Sequence, residues 1–450
     1  VADKCFLERL GKMYKNFNKI YPNDFQFNHS DQTAIILPES KEHISYNTLI
    51  DRATAASNIL KEKGITRKNR VLVKWDSNYI PELMGMINVC SVTIIGDVST
   101  FELQYLIERG KFSAELYDWK NLNKIENNGI EGCDENEGLG IISSGTSGRD
   151  RTIVSVPRTR FHYWAFNSMK MFGADTRSLV VVSPVFSAGS SHLISTLLNG
   201  GTAIIACGFL YHSSDNLKNA MDYRPNHIHG APTTYRLLMD LMGDSYNYTL
   251  KHCRITGSKS DINLLNRIFD EIKPDSINSV YGTNENGPAF INIMKSKNDI
   301  DESIGIPDEG YEYKIDESKQ MWIRGGSGGE EFYNTEDLAE EKDGKIYLIG
   351  RSGDVIIKNS YCIIPNEVEN ILEKCNNVTE VVVFGKQTES TSSKICCVYT
   401  VDKNYIKGSI EIHAKNSLSK YKIPEEWNMV DVIPKTKNDK ISRAKLSKLF

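Results

Sequence analysis

The chain has 450 residues, of which 40% are hydrophobic and 25% charged, the balance of a folded globular chain rather than a disordered one. Its 54 Lys and Arg against 58 Asp and Glu leave a net charge of −4. That balance supplies neither the basic footprint of a nucleic-acid binder nor a polybasic membrane signal.

In chain order, Tyr46, Leu49, Ile50, Ala53 and Leu60 recur at helical spacing. Val71-Leu72-Val73 then reads as a short buried strand, followed by a helix over Ile80–Val89. The strongest apolar run, Leu83 to Gly96, is too short to cross a bilayer of about 30 Å. Strand-like runs follow at Leu179–Val182, Thr202–Cys207, His227–Gly230 and Arg254–Thr256, with helices expected over Thr234–Met242 and Ile262–Ile272. This alternation predicts a large layered α/β domain with mostly parallel sheets.

The composition shifts between Met321 and Glu341, where Arg324–Gly329 reads as a flexible loop followed by an acidic segment. Beyond Arg351 the units shorten. A helix is expected from Pro365, with Glu367 and Glu369 in its first turn, and strands over Glu380–Phe384 and Ile395–Thr400. The expected division is a domain over 1–350 and a small α+β domain over 351–450, with the boundary at Gly350–Asp354. Val1–Cys5 shows no secretory pattern, and the nine cysteines, an odd number without CxxC spacing, read as reduced thiols of a cytoplasmic protein.

The most informative stretch is Ile141 to Arg151, in which Ser143, Ser144, Gly145, Thr146, Ser147 and Gly148 follow a predicted strand. Glycines and hydroxyls in this density suit a phosphate cradle, although no Gly-Lys-Ser/Thr closes it as in a Walker A loop. In isolation a solvated linker fits it as well. Downstream lie Tyr281-Gly282-Thr283-Asn284-Glu285, Tyr333-Asn334-Thr335-Glu336-Asp337-Leu338, Gly350-Arg351 and Pro434–Leu446. Each is weak alone, and their order is the signal.

Together these motifs resemble the acyl-adenylate-forming superfamily, which includes acyl- and aryl-CoA synthetases, peptide-synthetase adenylation domains and beetle luciferases. The resemblance runs from His43 to Leu446. It implies that a carboxylic acid attacks the α-phosphate of ATP, releasing pyrophosphate, and that the acyl group passes to coenzyme A or a carrier-protein phosphopantetheine. Because two anions must meet, the catalyst's work is positioning and charge compensation. On this resemblance Lys440 bridges the carboxylate and the α-phosphate, and Glu285 holds Mg²⁺. Asp337 and Arg351 flank the ribose. Ser143–Gly148 with Arg151 holds the phosphates, and Gly257, Ser258 and the Tyr281–Asn284 turn complete the nucleotide site. An acyl carrier protein is the implied macromolecular partner where the acceptor is not coenzyme A. No nucleic acid or membrane span is expected.

The implied acid pocket comprises Phe186, Ser187, Gly189, Gly230 and Ala231. Amino-acid-activating members usually place an aspartate where Ser187 stands, and an unpaired ammonium there would be costly, so an aryl or acyl acid is expected. His192 reads as a packing or surface histidine. The chain departs from the family at Asp150-Arg151-Thr152, Asn284, Glu336, Gly353, Ser360 and Asp439. Glu336 and Asp439 stand where the family has glycine, and the side chain of Ser360 is expected to slow thiol transfer relative to adenylation. The alternative is a relative with weakened turnover, or an enzyme that stops at the adenylate.

Overall fold

A computed structural model of the chain describes residues 31–95, 132–142, 153–158, 175–207, 214–242, 250–257, 260–325, 331–358, 361–387, 393–436 and 440–450, with 112, 114–116, 122, 160, 161 and 164.

The first strands are β1 (Thr33–Leu37) and β2 (Glu42–Ser45), and helix α1 (Tyr46–Glu62) starts where the Ser45 hydroxyl accepts from the Thr48 amide at 3.2 Å. Then come β3 (Arg70–Lys74), α2 (Ile80–Val89), β4 (Ser91–Ile95), β5 (Ala114–Leu116), β6 (Glu137–Ile142) and β7 (Ile153–Pro157). The central run is β8 (Arg177–Val180), α3 (Ser187–Leu198), β9 (Thr202–Ile205), α4 (Ser214–Met221), β10 (His227–Gly230), α5 (Pro232–Met242), β11 (His252–Ile255) and α6 (Ile262–Arg267). It ends in β12 (Ser276–Thr283), β13 (Gly287–Met294) and β14 (Ile306–Pro307).

Two sheets form the large domain. One runs β14-β13-β12-β11-β10-β8-β9-β1-β2, parallel from β12 to β1 and antiparallel only toward its edges. The other runs β5-β3-β4-β6-β7, with only the last pair antiparallel. A continuous apolar core joins α1, α2, the second sheet and α3, and includes Leu49, Val71, Ile87, Leu139 and Leu193. A second core lies on the opposite face of the large sheet, under α4, α5 and α6, around Leu179, Ile228, Tyr235 and Leu264. Mostly parallel sheets covered by helices are the architecture expected from the alternation of elements.

Of the loop expected over Arg324–Gly329, residues 326–329 lie outside the described residues, and the described parts of Met321–Glu341 on either side are strands. Strands β15 (Tyr311–Ile315), β16 (Gln320–Gly325), β17 (Tyr333–Lys342) and β18 (Lys345–Arg351) make an antiparallel sheet with its own core of Met321, Ile323, Ala339 and Ile346. Arg324 and Gly325 finish a strand, and inward Thr335 and Asp337 alternate with more exposed neighbours in the acidic stretch. Other boundaries moved slightly: β8 spans Arg177–Val180 and β11 begins at His252.

The small C-terminal domain holds the hairpin β19 (Ile356–Lys358) and β20 (Tyr361–Ile363), α7 (Pro365–Leu372), β21 (Val378–Gln387), β22 (Ser393–Val401), α8 (Ser409–Ser417), β23 (Glu426–Met429) and α9 (Arg443–Leu449). Of the two acids expected in the first turn of α7, only Glu367 lies there. Glu369 is buried and accepts from the Val383 amide at 2.6 Å and from Arg443 at 2.9 Å.

Arg443 is the fastening point of this domain. Its guanidinium also reaches Asp354 at 2.7 Å, the Asn366 side chain at 2.9 Å and the Val383 carbonyl at 2.9 Å. It thereby ties the start of α9, three residues beyond Lys440, to the segment that follows β18. Removing one member of such a pair strands the other charge. Arg443→Ala is expected to destabilise the small domain by about 3–5 kcal/mol. The double change Arg443→Met with Glu369→Leu should recover much of that loss, as read by urea unfolding.

Candidate active site

The site is built on a pairing between neighbouring antiparallel strands. Asp337 on β17 stands opposite Arg351 at the end of β18, and Arg351 Nε donates to Asp337 Oδ1 at 2.7 Å. The Tyr281 hydroxyl, from β12 of the large sheet, donates to Asp337 Oδ2 at 2.5 Å. Thr335 fixes the approach: its hydroxyl donates to the Met321 carbonyl at 2.8 Å and accepts from the Asp337 amide at 3.1 Å. Asp337 is buried and Arg351 about half exposed. Burial opposes the charge of Arg351, but the neighbouring Asp337 outweighs it, and the guanidinium pKa rises. Burial, then the Asp337 charge, pushes the Tyr281 hydroxyl well above its ordinary value, keeping it a donor.

Lys440 comes to this cluster from the small domain. Its amide donates to the Thr436 hydroxyl at 3.2 Å, and the Thr436 amide donates back to the Lys440 carbonyl at 2.9 Å, which closes the loop before α9. The residue keeps accessible surface, yet its ammonium lies within electrostatic reach of both Arg351 and Asp337. Desolvation of the ammonium, then repulsion from Arg351, lowers its pKa, and Asp337 offsets part of that. A carboxylate, a guanidinium, a phenol and an ammonium from two sheets and a loop therefore converge.

Tyr281–Glu285 forms one side and the tip of the β12–β13 hairpin, in which Gly282 faces Pro288 and Thr283 faces Gly287. A Cβ on Gly282 would lie 2.2 Å from the Gly287 carbonyl oxygen, so only glycine permits that approach. The Thr283 hydroxyl accepts from the Asn286 amide at 3.1 Å. Beneath the tip, the buried guanidinium of Arg160 donates to the Asn284 carbonyl at 2.7 Å and to the Glu285 carbonyl. Burial pushes Arg160 down to about 10, against the pull of Tyr311 and Glu285. Sequence reading missed Arg160, because nothing local marks a lone arginine as the support of a turn more than 120 residues away. Tyr333, which opens the Tyr333–Leu338 motif but was assigned no role, lies beside Glu285; burial, then the charges of Glu285 and Glu336, raises its hydroxyl to about 12.

The remaining expected residues are spread more widely. Phe186 and Ser187 enter α3 half-buried, and Ala231 stands half-buried after β10. Gly189 serves close packing: a Cβ there would lie 2.2 Å from the Ser183 carbonyl oxygen. Gly230 is buried against Thr234, and Gly257 is exposed at the end of β11. His192 is buried inside α3, its Nε2 paired with the Ser178 hydroxyl at 3.2 Å. Ser143, Ser144, Gly145, Thr146, Ser147, Gly148, Asp150, Arg151, Thr152, Ser258, Ser360 and Asp439 lie outside the described residues.

Glu336 takes a left-handed conformation, φ 61°, at the position where the related motif has glycine. Its amide is held by the Asn334 side chain at 2.8 Å. A side chain with a Cβ pays about 1–2 kcal/mol for that geometry. Glu336→Gly is therefore expected to stabilise the chain by about 0.5–1 kcal/mol after the greater entropy of the unfolded glycine is deducted. Removing this negative charge beside Asp337 should also tighten binding of a polyphosphate ligand. Denaturant unfolding and isothermal titration with ATP check the two effects separately.

Residues 99–339 match the family model for the AMP-binding enzyme, and residues 367–440 match that for the AMP-binding enzyme C-terminal domain. The chain is 22% identical to tyrocidine synthase 3 of Brevibacillus parabrevis, over 93% of this chain but only 7% of that protein's length. It is 24% identical to a 2-succinylbenzoate–CoA ligase of Staphylococcus aureus, over 68% of this chain and 66% of the ligase. Among solved structures, ATP-bound MatB from Rhodopseudomonas palustris superimposes with a TM-score of 0.80 at 16% identity, covering 96% of this chain and 99% of that one. With both family models matched in order, and with Asp337, Arg351 and Lys440 assembled in one cluster, the chain belongs to the AMP-binding enzyme family.

Proposed function

We propose that this chain uses ATP to adenylate a carboxylic acid that lacks an α-amino group, and then passes the acyl group to the thiol of coenzyme A or of a carrier-bound phosphopantetheine. The observation that carries the reading is the placement of Lys440 beside Asp337 and Arg351, across the junction of two domains. We take 1–350 and 351–450 as the two working units, with the hinge after Arg351. The kinship to a CoA ligase favours coenzyme A, and the kinship to a peptide synthetase keeps the carrier-bound thiol in view.

In this reading Asp337 accepts hydrogen bonds from the ribose hydroxyls while Tyr281 and Arg351 hold its carboxylate still. Lys440 lies between the incoming carboxylate and the α-phosphate, and its positive charge offsets their repulsion as the bond forms. A compact ammonium on a long stem suits that task, since the anionic oxygens shift during attack. Glu285, fixed at the hairpin tip by Arg160, is the carboxylate that would hold Mg²⁺. Among the described residues no group of three or more metal-ligating side chains accompanies it. One carboxylate with phosphate oxygens and water is the donor set Mg²⁺ favours, so the site fits an ion that arrives with the nucleotide. Bound there, the ion would neutralise phosphate charge. Ser187 offers no countercharge to an α-ammonium, which supports an acid without that group.

Lys440→Ala is expected to lower ATP–pyrophosphate exchange about 10²–10³-fold with the fold intact. Exchange near that of the unmodified protein would overturn the assignment. Because burial and Arg351 depress the Lys440 pKa, the ammonium deprotonates below the ordinary lysine value of 10.5. The alkaline limb of kcat/KM should therefore fall below that pH, and Lys440→Arg should shift it upward whatever the residual rate. The depressed pKa also means that the fold binds this proton less tightly than the unfolded chain does. Its contribution is a cost at neutral pH that fades as pH rises toward 10.5.

A further inference from the structure

The face of the large sheet that α3 covers carries ionisable side chains where a parallel sheet is ordinarily apolar. His229 on β10 stands in register between Val180 of β8 and Arg254 of β11. Its ring lies 5.2 Å from that of His192 on α3, so these residues share the interlayer space. The opposite face at the same level is the apolar core containing Ile228 and Cys253.

Three features point to a ligand at this place. First, His229 is 4% exposed, and its Nε2 has no hydrogen-bond partner among the described residues. A buried imidazole nitrogen left in that state is destabilising. Second, Arg254 keeps accessible surface although β11 is flanked on both sides by β10 and β12, so α3 does not seal this face. Third, the half-buried residues on the first turns of α3 are small, Ser187, Ala188 and Ser191. Two residues beyond Arg254 on the same face, half-exposed Thr256 leads toward the strand ends from which Tyr281 reaches Asp337. Burial, then Arg254, holds His229 well below its ordinary pKa, so the imidazole is neutral and the positive charge here is that of the guanidinium.

One cation and one neutral donor match a single anionic group. Given the adenylation reading, on which this inference rests for the first carboxylate, we propose that the substrate is a dicarboxylic acid whose second carboxylate is bound by Arg254 and His229. A guanidinium fork with an imidazole N–H suits a planar carboxylate, and a monoacid would leave the buried imidazole nitrogen facing methylene.

The test is ATP–pyrophosphate exchange with α,ω-dicarboxylic acids of three to eight carbons, each beside the straight-chain monoacid of equal length. The unmodified protein should prefer its best diacid by about 100-fold or more in kcat/KM. Arg254→Met should remove that preference and leave the monoacid rates within a few-fold, and Arg254→Lys should restore part of it. Equal use of monoacids and diacids by the unmodified protein would overturn the proposal, and so would equal loss for both in folded Arg254→Met. Thermal shift with the same acids reads the subsite without catalysis. A diacid-specific rise in Tm that Arg254→Met abolishes, with no exchange for any acid, would keep the subsite and sink the adenylation reading. Absence of both exchange and a diacid-specific shift would overturn the two together.

Discussion

The carboxylate of Asp337 is the constraint around which the candidate site is arranged. One oxygen accepts from Arg351 and the other from Tyr281, so three strands from two sheets meet on one side chain. A charge held in this way cannot relax toward solvent, which is the condition for preorganised binding. The same carboxylate partly offsets the repulsion between Arg351 and Lys440, allowing two cations to approach one place.

Support for that cluster comes from backbone carbonyls and amides as much as from charges. Arg160 holds the tip of the β12–β13 hairpin through the carbonyls of Asn284 and Glu285, and Tyr311 donates to the Asn286 carbonyl at 2.5 Å. Gly282 lets the two strands close at the point where a larger residue would force them apart. In the small domain Arg443 has the equivalent role, fixing the start of α9 so that the Lys440 loop has a rigid base. Both arginines are buried or nearly so, and each spends its donors on groups that would otherwise be left unpaired.

The polar interlayer around His229 and Arg254 shows the same economy in a different place. A parallel sheet covered by a helix gains most from apolar side chains, and ionisable groups there reduce that gain. Their presence beside the partly exposed Arg254 and Thr256 fits a role in recognition better than one in stability. Glu336 belongs to the same pattern, since its left-handed backbone carries a conformational cost next to the residue on which the site depends.

Periodicity was enough to specify the alternating architecture and the helices over 46–62 and 80–89, and motif order singled out Asp337, Arg351, Tyr281 and Lys440, which the fold brings together, because local spacing and short motifs are properties of adjacent residues. Composition marked Arg324–Gly329 as a loop and the stretch after it only as acidic, whereas Arg324 and Gly325 end a strand, and the inward residues Met321, Ile323, Thr335, Asp337 and Ala339 are recognised as strand residues only once their partners are known. It misread Glu369 as a helix-dipole acid, whereas its partner Arg443 lies 74 residues away. The roles of Arg160, His229 and Arg254 were beyond its reach for the same reason. A side chain's charge and type are written in the sequence, but the carbonyl it supports, the cation that depresses its pKa and the neighbours it faces arise only when distant strands are brought into register.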